Sequence, residues 1–302
     1  MAKLEPVLTS IETIFPDKYV EEINGIHQVI SDAGYGDRLS QGELAIINLM
    51  YELTVYCTSV VSKTPTGEII HGRNLDYGIT GLQNLTATIH FTDADENTVF
   101  SSTAFIGYVG VLTGMSKHFS VSVDQRGPND DNSKFQTIEG ILENLVSAAT
   151  GGSSVGMFLR SQLESTTSFE EVVTTLSAEK MIAPVYLIVG GLAGNEGAII
   201  TRDRLHPDEE VKEGVWRITD DNYWRLETNY DHWKAVPEDD DRRDPANACM
   251  EAMGVDGVSV DSVRDCLSEQ PVLNWGTVYT TLMSAQTAYF DTLVRDPTNV
   301  EK

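Results

Sequence analysis

Residues 57–77 read CTSVVSKTPTGEIIHGRNLDY, and this stretch decides the fold that the sequence predicts. Its first six residues are rich in β-branched side chains, which favour a strand. Thr-Pro-Thr-Gly follows as a turn, and the nine residues from Glu68 onward read as a second strand. The two strands predict a β-hairpin that brings Arg73 and Asp76 close to Cys57 at the start of the first strand.

The rest of the chain alternates between helical blocks and strand blocks. Apolar residues at helical spacing predict helices over 19–33, 43–56, 138–149, 155–164, 169–177 and within 245–268. Strand patterns occur at 85–91, 98–108, 119–125, 185–189, 197–202, 215–219 and 223–229, with a closing hairpin of 277–285 and 288–295. This order favours a layered α+β fold in which helices cover packed antiparallel sheets. Since no repeat or linker interrupts the sequence, we expect residues 1–302 to form a single domain.

The charge of the chain is strongly negative, with 46 acidic residues against 21 lysines and arginines and a net charge of −25. Such a surface repels phosphate backbones, so nucleic acid is not expected as a partner. The six histidines include no close pair, so no metal site is predicted. The first twenty residues carry acids and proline where a signal peptide needs a continuous apolar run, so no signal peptide is predicted in this sequence.

The three cysteines, Cys57, Cys249 and Cys266, are too few for a disulfide framework. Cys249 and Cys266 either pair or remain as buried thiols, and the favoured interpretation leaves them unpaired. Taken alone, Cys57 also reads as a small buried apolar residue, as most free cysteines do. Only its neighbours indicate chemistry.

A catalytic thiol at Cys57 needs a cation that favours the thiolate, which Arg73 supplies, and a base that takes the proton. His71 lies on the same face of the strand as Arg73 and would give a Cys–His dyad. The alternative base is the α-amine of Cys57 itself, freed by cleavage of the Tyr56–Cys57 bond. Its ordinary pKa is about 7.7–8, and Asp76 would orient it. Both bases remain open from the residues alone.

Several motifs together resemble those of the acid ceramidase and N-acylethanolamine acid amidase family. They are CTSVV (57–61), HGRNLDY (71–77), FIGYVG (105–110), ETNYDHWK (227–234), DDRR (240–243) and VYTTLMSA (278–285). They cover nearly the whole chain after position 43, in order and at fitting spacings. The NYDHWK and TTLMSA stretches look closer to the ethanolamide amidases than to the ceramidases.

The resemblance implies a four-layer αββα N-terminal nucleophile hydrolase fold and an inactive precursor that cuts itself between Tyr56 and Cys57. The α chain (1–56) and the β chain (57–302) would then stay associated. Carried over by position, the implied site consists of the nucleophile Cys57, the positioning residues Arg73 and Asp76, the oxyanion residue Asn229 and the supporting Arg242. The simpler interpretations are an ion pair for Arg73 and Asp76, a turn cap for Asn229 and a solvated loop for Arg242.

The expected function is hydrolysis of N-acylethanolamines to a fatty acid and an amine through a thioester acyl-enzyme, with no cofactor. One alternative is the same chemistry on ceramide, and another is an inactive lipid-binding homologue. The resemblance also implies a lysosomal or secretory location and peripheral contact with membranes or micelles. Two departures from the family stand out. Gln125 replaces an expected acid, and no cysteine precedes Cys57 to form the interchain bond that the position of Cys249 makes in ceramidase-like members.

Overall fold

The computed structural model describes residues 15–49, 56–79, 81–127, 138–205 and 214–296. Its helices are α1 Asp17–Asp32, α2 Gln41–Ile47, α3 Ile138–Ala149, α4 Val155–Ser165, α5 Phe169–Ala178, α6 Arg243–Met253 and α7 Val260–Ser268, with 3-10 turns at Leu82–Leu85 and Val255–Gly257. Its strands are β1 Tyr56–Lys63, β2 Ile69–Asp76, β3 Thr86–Thr92, β4 Thr98–Phe105, β5 Thr113–Ser116, β6 Ser120–Gln125, β7 Val185–Gly190, β8 Gly197–Arg202, β9 Val215–Arg217, β10 Trp224–Glu227, β11 Thr277–Ser284 and β12 Tyr289–Val294. Among these residues, no helix is long and apolar enough to cross a bilayer.

The strands form two antiparallel sheets that pack face to face. The five-stranded sheet has the order β10-β1-β2-β11-β12, and the seven-stranded sheet runs from β3 to β9 in sequence order. Strands β1 and β2 of the first sheet contact β6 and β7 of the second. Helices α6 and α7 cover the outer face of the five-stranded sheet, while α4 and α5 cover the seven-stranded sheet. The predicted α+β class and αββα layering are therefore confirmed.

The predicted hairpin is the centre of the five-stranded sheet. Strands β1 and β2 pair along their whole lengths, with Tyr56 opposite Asp76 and Ser59 opposite Arg73. All eight residues of β2 are buried because helix α7 lies on one side and the second sheet on the other. Gly72 faces the helix so closely that an added Cβ would lie 2.8 Å from Leu267 Cδ1. Successive side chains of a strand point to opposite faces, so its neighbour Arg73 is directed between the sheets.

Two predicted boundaries were wrong. The helix predicted over 43–56 ends at Ile47, and Tyr56 already belongs to β1, while 50–55 lie outside the described residues. The Asn48 side chain ends this helix, because its amide donates to Leu44 O and Gly107 O and its oxygen accepts from Val109 N. The strand predicted over 98–108 ends at Phe105, and the short strand β5 was not predicted.

The interpretation that left Cys249 and Cys266 unpaired was also wrong. The two residues form a disulfide with their Cα atoms 5.7 Å apart. Helices α6 and α7 lie side by side on the same sheet, which brings their facing cysteines together. Cys57 is the remaining cysteine, and it is free and buried.

The disulfide yields a stability prediction. Because the bond closes a loop over a separation of 17 residues, removing it in Cys249→Ser/Cys266→Ser should cost about 3 kcal/mol of the free energy of unfolding. Urea unfolding of the double variant beside the wild type measures this loss. Wild-type protein treated with a reductant should show the same lowered midpoint. An unchanged midpoint in both samples would contradict a bond between these helices.

Candidate active site

The Cys57 thiol lies between the two sheets in direct contact with Arg73. Arg73 Nη2 donates to Cys57 Sγ over 2.9 Å, and the two side chains are fully buried. The same guanidinium donates to the carbonyl oxygens of Leu112 and Val123, each at 2.5 Å, and to Thr113 Oγ1. Thr113 and Val123 lie on strands β5 and β6 of the seven-stranded sheet, and Leu112 directly precedes β5. They fix the direction of the guanidinium, so its charge is held against the sulfur.

Burial dominates the acidity of this thiol. It raises the pKa of Cys57 to about 12, although the nearby charge of Arg73 lowers the pKa and Asp124 raises it. The thiol is therefore protonated at neutral pH in the chain with an intact Tyr56–Cys57 bond. A nucleophilic role requires a base that removes this proton.

The backbone of Cys57 is held by two further side chains. Its N–H donates to Asn229 Oδ1 over 2.7 Å, and its carbonyl accepts from Arg242 Nη1 over 2.6 Å. Arg242 Nη2 also donates to Asn229 Oδ1 over 2.9 Å, which links the two residues. The nitrogen, carbonyl and sulfur of Cys57 thus each contact a different side chain.

Asn229 is fixed from its other end as well. Its Nδ2 donates over 2.8 Å to the backbone oxygen of Gln125 at the end of β6. Since this acceptor is a backbone atom, the contact does not depend on the replacement of an expected acid by Gln125. Asn229 is buried, with 7% of its surface exposed, so it does more than cap a turn.

Asp76 lies opposite Tyr56 at the end of β2 and shares Arg242 with the other residues. Its carboxylate accepts from Thr277 Oγ1 at 2.6 Å, Asn274 Nδ2 at 3.0 Å and Arg242 Nη1 at 3.2 Å. Burial raises its pKa, and the neighbouring Arg242 charge and these hydrogen bonds oppose that effect. Asp76 is therefore held in place on three sides beside the Tyr56–Cys57 bond.

Arg242 is buried rather than solvated, although its neighbours in sequence are acidic. Only 3% of its surface is exposed. Burial by itself lowers the pKa of Arg242, but hydrogen bonds to Asp240, at 2.7 and 2.9 Å, raise it above its usual value overall. The side chain remains charged and joins Cys57, Asp76 and Asn229 into one network.

The sequence profile of the linear amide C–N hydrolases, choloylglycine hydrolase family, matches residues 57–262. The chain belongs to this family of amide hydrolases. The match begins at Cys57, the residue that the network surrounds.

Known relatives of this amide hydrolase agree with the family. The N-acylethanolamine-hydrolyzing acid amidase of Rattus norvegicus is 38% identical over 297 residues, which cover 96% of this chain and 76% of the relative. The acid ceramidase of Mus musculus is 36% identical over 300 residues, covering 93% and 71%. A solved Caenorhabditis elegans ortholog of N-acylethanolamine-hydrolyzing acid amidase superposes with a TM-score of 0.69 and 32% identity, covering 80% of this chain and 100% of that one.

In this amide hydrolase, His71 is not a hydrogen-bond partner of the Cys57 thiol. The two ring nitrogens of His71 contact Ser120 Oγ at 3.0 Å and Ser122 Oγ at 2.8 Å. Burial, followed by the charge of Arg73, lowers the pKa of His71 to about 3, so the imidazole is neutral. The Cys–His dyad therefore has no support in the geometry.

Sequence reasoning missed several residues that complete the network. Asp240 holds Arg242, while Asn274 and Thr277 hold Asp76. Asp124 lies 3.7 Å from Arg73 Nε and is fully buried. Asp240 stands within the DDRR motif and Asp124 within the strand predicted over 119–125, but their chemistry depends on contacts between distant segments.

Proposed function

We propose that Cys57 cuts the Tyr56–Cys57 bond and then acts as the N-terminal nucleophile of a fatty-acyl amidase. The observation that carries this proposal is the placement of Cys57, whose nitrogen, carbonyl and sulfur are each held by a separate buried side chain. A purely structural cysteine needs no such arrangement around its backbone atoms.

In the self-cleavage step, Cys57 Sγ attacks the carbonyl carbon of Tyr56. The thiol gives its proton to water before this attack, the Cys57 nitrogen takes up a proton from water as the peptide bond breaks, and a thioester joins the Tyr56 acyl group to the sulfur. Water then hydrolyses the thioester, which releases the Tyr56 carboxylate and restores the thiol. Asn229 and Arg242 support this step because they hold the nitrogen and the carbonyl of Cys57 in position.

The α chain (1–56) stays associated with the β chain (57–302) in this proposal. Helices α1 and α2 pack Tyr19, Ile23 and Leu44 against Val109 and Met157 of the later chain. An ion pair of 2.8 Å between Glu22 and Arg160 adds to this contact. Cutting the Tyr56–Cys57 bond removes none of these contacts.

After cleavage, the new α-amine of Cys57 takes the thiol proton, because its ordinary pKa of about 7.7–8 suits this role. The thiolate attacks the substrate amide, and Arg73 stabilises the anionic sulfur. Asn229 Nδ2 donates to the oxyanion of the tetrahedral intermediate, while Asp76 orients the α-ammonium. The amine leaves with the proton, and water releases the fatty acid from the thioester.

The proposed substrates are N-acylethanolamines, with ceramide as the second candidate. The names of the relatives favour this lipid class, and exposed apolar side chains near the site favour a lipid as well. Ile79, Leu85, Ile106 and Trp275 are each at least 42% exposed. Tyr77 N donates to Gly276 O and Ile106 N donates to Leu85 O. The rings of Tyr77 and Phe105 meet edge to face, which brings both pairs of loops to the end of β2 that carries Asp76. This surface fits peripheral contact with membranes or micelles.

We also propose a lysosomal or secretory location. The relatives are named acid amidases and acid ceramidases. The disulfide between Cys249 and Cys266 is typical of proteins that fold in an oxidising compartment.

Turnover of palmitoylethanolamide and N-palmitoyl sphingosine by processed protein from pH 4 to pH 8 tests the proposed substrate. We expect faster hydrolysis of the ethanolamide. Preferred hydrolysis of the ceramide would select the second candidate instead. Turnover of neither lipid, with no labelling of Cys57 by a thiol-directed acyl electrophile, would identify a lipid-binding homologue.

A further inference from the structure

Asp124 is a second buried acid beside the guanidinium that holds the Cys57 sulfur. It lies on β6 with no exposed surface, and its Oδ1 is 3.7 Å from Arg73 Nε. Ser59 Oγ donates to the same Oδ1 over 2.7 Å. Among the residues that the structure describes, none donates to Asp124 Oδ2. One oxygen of the carboxyl group therefore receives no hydrogen bond from the described residues. The ionised form of Asp124 depends on the positive charge of Arg73 for its stabilisation.

A chain of buried hydrogen bonds leads to this carboxyl group. Ser59 Oγ is 3.2 Å from Ser122 Oγ, which in turn contacts His71 Nε2 at 2.8 Å. Ser120 Oγ contacts His71 Nδ1 at 3.0 Å and donates to Gly190 O, which extends this buried polar row to β7. The proposed amide hydrolysis does not use His71, Ser122 or Ser59.

Other charged and titratable groups face Asp124 from each neighbouring element. Burial raises the pKa of Asp124 to about 7, opposed first by the charge of Arg73 and then by the Ser59 hydrogen bond. The further groups that act on it or lie beside it are Glu227 on β10, Arg242 before α6, Tyr186 on β7, Tyr279 on β11 and Cys57 on β1. Of all the charged groups near Asp124, Arg73 is the one that contacts both this carboxylate and the Cys57 sulfur.

We propose that Asp124 is a positioning residue that competes with the Cys57 thiolate for the charge of Arg73. When Asp124 is neutral, the guanidinium is available to the thiolate; when Asp124 is ionised, the guanidinium is neutralised and a thiolate adds a second buried negative charge. This proposal rests on the proposed function, because competition for Arg73 affects catalysis only if Cys57 is the nucleophile.

The competition predicts a break in the pH dependence of the thiolate. Below about pH 7, where Asp124 is neutral, the thiolate fraction rises about tenfold per pH unit. Above this pH, the dominant form has ionised Asp124 and a neutral thiol. A thiolate beside neutral Asp124 differs from that form only in the position of one proton, so its fraction no longer changes with pH. The thiolate fraction of the wild type therefore reaches its plateau near neutral pH.

Asp124→Asn tests this competition because the amide has the shape of the acid and cannot ionise. The readout is the rate of self-cleavage of the uncut chain from pH 5 to pH 9, since cleavage releases an α-amine that would titrate as well. The variant and the wild type should have similar rates below pH 6. Above pH 7 only the variant should keep rising, so that it is about tenfold faster at pH 8 and about 100-fold faster at pH 9.

A second readout keeps this test separate from the proposed function. Alkylation of Cys57 by iodoacetamide in the uncut chain, located by mass spectrometry, reports the thiolate even if the chain never cuts itself. A wild-type chain that does not cut itself overturns the proposed function, whereas the alkylation profiles still decide the role of Asp124. The ratio of variant to wild-type rates should show the same dependence on pH.

Two further variants complete the experiment. Asp95→Asn removes an equal charge from an exposed turn and should keep the wild-type profile. Ser59→Ala removes the hydrogen-bond donor to the ionised Asp124 carboxylate, so the break in the pH profile should move to higher pH. This variant tests the role of Asp124 even if Asp124→Asn does not fold. A ratio that is constant across pH, or a break that Ser59→Ala leaves in place, would overturn the proposal.

Discussion

Replacing Cys57 with alanine is expected to abolish both cleavage of the Tyr56–Cys57 bond and turnover of every amide substrate. The Cys57 sulfur is the attacking atom in both reactions. Cys249 and Cys266 form a disulfide with each other and cannot replace it. Loss of a catalytic nucleophile lowers kcat by roughly 10⁶-fold in a well-studied hydrolase. Arg73 keeps its contacts with Leu112, Val123 and Thr113, so the variant should fold. Intact mass and product release measure the two losses.

Cys57→Ser is the matched control for this variant. A hydroxyl keeps the geometry of the nucleophile, so slow self-cleavage is expected together with little amide hydrolysis. The serine and alanine variants should therefore differ in cleavage and agree in their lack of turnover. If Cys57→Ala is still cut between Tyr56 and position 57, an outside protease makes the cut and the self-cleavage proposal is wrong.

Asn229→Ala is expected to have the second largest effect. The substitution removes the acceptor of the Cys57 N–H and also the Nδ2 donor that we propose for the oxyanion. Loss of one such donor typically lowers kcat by about 10²–10³-fold. The measurement is kcat per processed chain, with the extent of processing determined by mass.

Asn229→Asp separates the two roles of this residue. The carboxylate keeps an oxygen that accepts from Cys57 N and from Arg242 Nη2, but it has no N–H to offer the oxyanion. We therefore expect turnover as low as that of Asn229→Ala, with better retention of self-cleavage. Wild-type turnover in Asn229→Asp would show that Asn229 only positions Cys57.

The parts of this molecule that depend on local sequence could be predicted from it. The hairpin of β1 and β2 follows from two β-rich stretches and a turn, and it alone brings Arg73 and Asp76 to Cys57. Helices α3, α4 and α5 likewise follow from apolar residues at helical spacing. The helix predicted over 43–56 was too long because its end depends on contacts between Asn48 and the distant residues Gly107 and Val109.

The more distant parts of the site could not be derived from the residues alone. Asn229 and Arg242 lie 172 and 185 positions from Cys57, and only the family resemblance indicated them. By local pattern, Asn229 reads as a turn cap and Arg242 as part of a solvated acidic loop. Packing between the segments buries both. The same dependence on packing hid the disulfide and the approach of Asp124 to Arg73.

The most direct test of the central claim is the intact mass of purified wild-type protein after incubation at mildly acidic pH. Self-cleavage by Cys57 predicts two fragments, one ending at Tyr56 and one beginning with an unmodified Cys57, in equal amounts. A chain that remains whole under these conditions, or one whose fragments meet at any other bond, would contradict the account.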